Sequence, residues 1–100
     1  MAKGHLGSFI GAVTPDVNMI DLFKAQEEEK HVLASRKWPA SIPFSIQQLS
    51  ISADPGTTFT LNTAQIVIPS TGIFELSYGL IEIESLVFHA QVNVNIVYLF

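Results

Sequence analysis

Apolar residues change their period once along this chain. From residue 44 onward they alternate with polar ones. Leu49, Ile51 and Ala53 share one parity, as do Phe59 with Leu61 and Ala64 with Ile66 and Ile68. The closing stretch sets Val92, Val94, Ile96, Tyr98 and Phe100 against Asn93 and Asn95. A period of two puts alternate side chains on opposite faces of a strand. The segments between are turn formers: "DPGT" at 54–57, "PSTG" at 69–72 and a hairpin at Asn62-Thr63. Short strands between closely spaced turns predict an all-β fold, a small antiparallel sandwich or barrel of about six strands.

The alternation slips in two places. Phe44 and Ile46 have the opposite parity to Leu49 and Ile51, and Ile81 and Ile83 the opposite parity to Leu86 and Phe88. Each segment is expected to contain a bulge or corner where it changes sheets, with bulges expected near Gln47-Gln48 and near Glu84-Ser85.

The first forty residues read differently. Gly4, Gly7 and Gly11 interrupt "KGHLGSFIGAV", which suggests an extended arm with apolar anchors at Leu6, Phe9, Ile10 and Val13. Thr14 as N-cap, Pro15 at the first helical position and Asp16 near the positive helix end predict a helix over about residues 15–36. Ile20, Phe23 and Leu33 recur at helical spacing, but "AQEEEKH" offers no apolar face, so the middle of this helix is expected to be solvated. Pro39 and Pro43 mark a linker. The expected division is therefore an arm with its helix over 1–40 and a β-sandwich over 41–100.

Composition sharpens this. Hydrophobic residues make up 48% of the chain and charged residues only 14%, against about a quarter in an ordinary globular chain. The five basic residues, Lys3, Lys24, Lys30, Arg36 and Lys37, all precede Trp38. With a net charge of -4, the chain lacks the clustered cations that nucleic-acid phosphates require. No apolar run is long enough for a membrane-spanning helix and no leader pattern is present, so use without translocation, and without a membrane, is expected. Without cysteine there is neither a disulfide framework nor a thiolate metal site.

The residues for chemistry are sparse. His5, His31 and His89 lie far apart and in no zinc-ligand spacing. His89 is expected as a hydrogen-bonded turn histidine, and Glu27-Glu28-Glu29 as a solvated helix face. Glu82 and Glu84 share one strand face without the cleft that paired-carboxylate catalysis needs. "DPGTT" lacks the ending of a phosphate loop, and no G-x-S-x-G elbow occurs. No enzyme activity, metal or cofactor is expected.

Association is expected instead. A β-domain of about 60 residues is marginal alone and needs disulfides, metal or oligomerisation. The closing strand carries no charge from Gln91 onward, whereas free edges are normally guarded by charge or proline. The expected interface residues are Phe9, Ile10, Ile20, Phe23, Val97, Leu99 and Phe100. Either a neighbouring subunit or the chain's own arm would cover the closing strand.

The stretch "ISADPGTTFTLNTAQIVIPSTGIFELSYGLIEIESLVF" resembles the C-terminal β-module of small structural proteins of tailed bacteriophages and prophages. The matching residues are Ala53, Pro55, Gly56, Thr57, Phe59, Asn62, Thr71, Gly72, Ile73, Phe74, Glu75 and Leu76. The resemblance covers about residues 45–90. Thr63 stands where that pattern has glycine. It implies a virion component made in the host cytoplasm, placed on the capsid, at the head-to-tail connector or in the tail or baseplate. Its partners would be copies of itself and other virion structural proteins. Two alternatives are a carbohydrate- or host-surface-binding module using Trp38, Tyr78 and Tyr98, and a cytoplasmic regulatory or antitoxin-like partner protein.

Overall fold

The computed structural model describes residues 6–30, 43–77 and 79–99. Nine strands and one helix follow in the order β1 (Leu6–Ala12), α1 (Met19–Lys30), β2 (Phe44–Ile46), β3 (Gln48–Ser52), β4 (Thr58–Leu61), β5 (Ala64–Val67), β6 (Ile73–Leu76), β7 (Ile81–Ile83), β8 (Leu86–Phe88) and β9 (Asn93–Leu99). They form a four-stranded sheet β1-β9-β3-β6, a two-stranded ribbon β2-β7 and a three-stranded sheet β5-β4-β8, antiparallel throughout. The all-β sandwich-like class is as expected.

Both parity slips are corners. At Gln47 the chain leaves the ribbon and enters the four-stranded sheet, with the Gln47 N–H donating to the Leu99 carbonyl at 2.6 Å. At Glu84-Ser85 it leaves the same ribbon for the three-stranded sheet. The ribbon thus bridges the two larger sheets. Phe44, Ile46, Ile81 and Ile83 turn inward on one side of the corners, and Leu49, Ile51, Leu86 and Phe88 on the other. Counting each cornered segment as two strands, and adding β1, raises the six expected strands to nine.

The turns behave as their residues dictate. In Asp54-Pro55-Gly56-Thr57 the Thr57 N–H donates to the Asp54 carbonyl at 3.1 Å. Gly56, at φ 90, takes the left-handed position that such a turn reserves for glycine. In the β4–β5 hairpin Asn62 alone supplies the positive φ, at 54.

Of the two coverings expected for the closing strand, the chain's own N-terminal segment is found: β1 pairs with β9 over its whole length, from Leu6↔Leu99 to Ala12↔Asn93. Val13, Met19, Ile20 and Phe23 enter one core with Ile51, Phe59, Leu86, Ile96 and Tyr98. The helix starts at Met19, not Pro15, because Pro15 and Asp16 form a turn with Asp16 at φ 61 and its N–H bonded to the Phe88 carbonyl at 2.9 Å. Asn18 is the N-cap: its Oδ1 accepts from the Ile20 N–H at 3.1 Å. The expected helical extension beyond residue 30, and the linker around Pro39, lie outside the described residues.

Candidate interaction surface

Two faces of the four-stranded sheet must be distinguished. On the inner face, Val94, Ile96 and Tyr98 of β9 and Leu49 and Ile51 of β3 are buried. Tilted and edge-on rings join them: Phe23 lies 5.0 Å from Tyr98 and Phe44 lies 5.1 Å from it, while Phe59 contacts Phe74 at 5.5 Å and Phe88 at 5.2 Å. Aromatic contacts of this kind add to the burial of their area.

A buried polar latch fastens α1 to this face. The Tyr98 hydroxyl donates to Glu27 Oε2 at 2.7 Å, and Gln26 Nε2 donates to the Tyr98 hydroxyl at 3.2 Å. Glu27 is fully buried, and Lys24, three residues earlier, is nearly so. This corrects the expectation of a solvated helix centre. Ile20, Phe23 and Glu27 form one stripe at i, i+3 and i+7, and the inward Tyr98 hydroxyl requires an acceptor. Gly7 makes the approach possible, since a Cβ there would overlap the Tyr98 ring and the Glu27 carboxylate. Burial pushes the Tyr98 phenol above its ordinary value. The bond to Glu27 and its charge push it further, against a smaller opposing effect of Gln26.

Two asparagines hold the second corner. Asn62 Oδ1 accepts from the Glu84 N–H at 2.7 Å, and its Nδ2 donates to the Glu82 carbonyl at 3.1 Å. Asn18 Oδ1 accepts from the Leu86 N–H at 3.0 Å, and its Nδ2 donates to the Glu84 carbonyl at 3.0 Å. The helix cap and the hairpin therefore both fasten the β7–β8 corner.

Among the described residues Asp16, His89 and Thr60 come nearest to a reactive constellation. Thr60 Oγ1 is 2.8 Å from His89 Nε2, and His89 Nδ1 is 3.9 Å from Asp16 Oδ1. The order of groups is that of a nucleophile, base and acid. The outer distance exceeds a hydrogen bond, however, and the Asp16 side chain is 80% exposed. The contact joins the Pro15-Asp16 turn to β4, and His89 is the hydrogen-bonded turn histidine expected. Among the described residues no group of three His, Asp or Glu side chains could hold a metal ion.

The outer face of the four-stranded sheet is built differently. Its register sets Leu6 beside Leu99 and Gln48, and Ser8 beside Val97, Ser50 and Glu75. The next rows set Ile10 beside Asn95, Ser52 and Ile73, and Ala12 beside Asn93. Glu75 is the only ionisable residue in these rows. Leu6, Ile10 and Ile73 are 62%, 74% and 43% exposed. At one end, Leu6, Val97 and Leu99 meet Gln48, Ser50 and Glu75 around a groove of about 250 Å³.

The expected interface residues divide accordingly. Ile10, Val97 and Leu99 lie on the outer face. Phe9 points inward, its ring 6.4 Å from Phe23. Ile20 and Phe23 are buried in the chain's own core and present no surface to a neighbour. Their helical spacing signals an apolar stripe without saying what covers it. Of the expected ligand-binding aromatics, Tyr98 is withdrawn because it is 1% exposed and held by Glu27. Trp38, Tyr78 and Phe100 lie outside the described residues. Gly7, Gln26, Glu27 and Asn18 were not anticipated. The signal for the latch is a tyrosine at an inward strand position.

Among the described residues no helix is long and apolar enough to cross a membrane. Compared with known protein families, curated proteins and solved structures, the chain matches none.

Proposed function

We propose that this chain is a structural subunit of a larger assembly, a minor structural protein of a tailed bacteriophage particle, and that it works by subunit contacts. The observation carrying this reading is the outer face of the four-stranded sheet, where exposed Leu6 and Ile10 flank half-buried Val97 and Leu99, exposed Ile73 stands across Asn95 and Ser52, and Glu75 is the one ionisable residue of the paired rows. Exposed apolar side chains grouped on one face mark an interaction site. The resemblance over residues 45–90 supports placing the assembly in a virion.

The test is the protein content of tailed particles purified from a strain carrying the gene. The reading expects this chain in fixed stoichiometry to the other structural proteins. Its absence from particles, while abundant in the same lysate, would overturn the assignment.

A further inference from the structure

We propose that β1 is a docking edge for a second copy of this chain, whose own β1 adds antiparallel across a two-fold axis to join two four-stranded sheets into one of eight strands. This rests on the assembly reading above and gives it a partner and a geometry.

In an antiparallel pair, residues alternate between facing the partner strand and facing away. The Val13 N–H donates to the Val92 carbonyl at 3.0 Å, in the same register as β1 with β9. Gly7, Phe9, Gly11 and Val13 therefore bond to β9, and Leu6, Ser8, Ile10 and Ala12 turn their N–H and C=O groups to the open side. The Ser8 carbonyl agrees, because it accepts from Gln26 Nε2 at 3.4 Å. Among the described residues no strand occupies that side.

Such edges are ordinarily guarded by charge, proline, a bulge, short length or a covering helix or loop, and α1 touches the β1 edge through Gln26 at the Ser8 carbonyl, a contact that an added strand would displace. The β6 edge carries Glu75 and is four residues long. The β5 edge has four residues and ends close to Pro69, and β8 is bridged on its open side by Asn18. β1 has seven residues, no charge, no proline and an unbroken register with β9.

The strand fits itself. About a two-fold axis at Phe9, which stands opposite its own copy, Leu6 faces Ala12, Gly7 faces Gly11 and Ser8 faces Ile10, a small residue against a larger or equally small one in these three pairs. Among the described side chains, exposed Asp16, Asp21, Asp54, Glu75, Glu82 and Glu84 would repel their counterparts on a second copy, and β1 carries none of them. Exposed Leu6 and Ile10 flank the edge on one side. Leu22, on the α1 face that carries Gln26, flanks it on the other.

Light scattering across a concentration series of the full chain tests this with four variants, each checked for its β-sheet circular dichroism. Ile10→Pro removes an N–H that faces away from β9 and fixes the local φ, as an edge strand tolerates, and is expected to weaken self-association at least about tenfold. Ser8→Lys and Ile10→Glu alone each weaken it, and the two together restore it, because each lysine then faces a glutamate of the other copy. Self-association unchanged by Ile10→Pro, or a double variant as weak as the single ones, overturns the edge pairing and leaves the assembly reading standing. If the intact chain stays at its 11.0 kDa monomer mass at every concentration, edge pairing falls, whereas the virion assignment is decided by particle composition.

Discussion

The first and last strands lie side by side, and both are uncharged and rich in apolar residues, yet they hold opposite positions. β9 is central, paired on one side with β1 and on the other with β3, and its Val94, Ile96 and Tyr98 form the middle of the core. β1 is the edge, with Ile10 74% exposed. An apolar, uncharged strand is what a buried centre requires and equally what an unguarded edge presents. Composition alone therefore could not say which of the two strands is central, and the pairing shows that it is β9, with β1 paired on one side only among the described residues.

The comparison breaks most severely if β9 is cut. A chain ending at Asn95 loses Ile96 and Tyr98 from the core together with the latch to Glu27, and cooperative unfolding is expected to vanish in calorimetry. Shortening one buried side chain is milder. Ile96→Ala is expected to cost about 2–5 kcal/mol in urea unfolding.

Tyr98→Phe tests the latch, and leaving the buried Glu27 carboxylate without that donor is expected to cost about 1–3 kcal/mol. The latch also predicts a pH dependence. The folded chain holds the Tyr98 proton more tightly than the unfolded chain does, so its contribution is complete below about pH 10 and declines as the pH rises above that. Tyr98→Phe should flatten this alkaline decline. Smallest of all, Ile10→Ala on the outer face is expected to change the stability of dilute protein by under about 0.5 kcal/mol, while weakening self-association.

Much of the fold was legible because the strand period is two. The parity reversals between Ile46 and Leu49 and between Ile83 and Leu86 require a bulge or a corner if both segments are to face inward, and the pairing shows two changes of sheet. Asp54-Pro55-Gly56 marks its own turn. The helix start was ambiguous: Thr14-Pro15-Asp16 and Asn18 with Asp21 both carry capping chemistry. What selects Asn18 is distant, namely its bonds to Leu86 and Glu84. Glu27 was hidden in an acidic run, and Gly7 among glycines that suggested a flexible arm. Each is explained only when Tyr98 is brought against it. Val97 and Leu99 could be named from alternation and Ile10 as an apolar anchor of the arm, but their common surface needed the register of four strands.

Amide hydrogen exchange followed residue by residue, at low and high protein concentration, tests the contrast between β1 and β9 most directly. The account predicts slow exchange from Val94 to Tyr98 and at Phe9 under both conditions. Ser8 and Ile10 should exchange freely in dilute solution and at least about tenfold more slowly when the chain associates. Free exchange at Ser8 and Ile10 in fully associated protein would contradict it and move the contact away from the β1 edge.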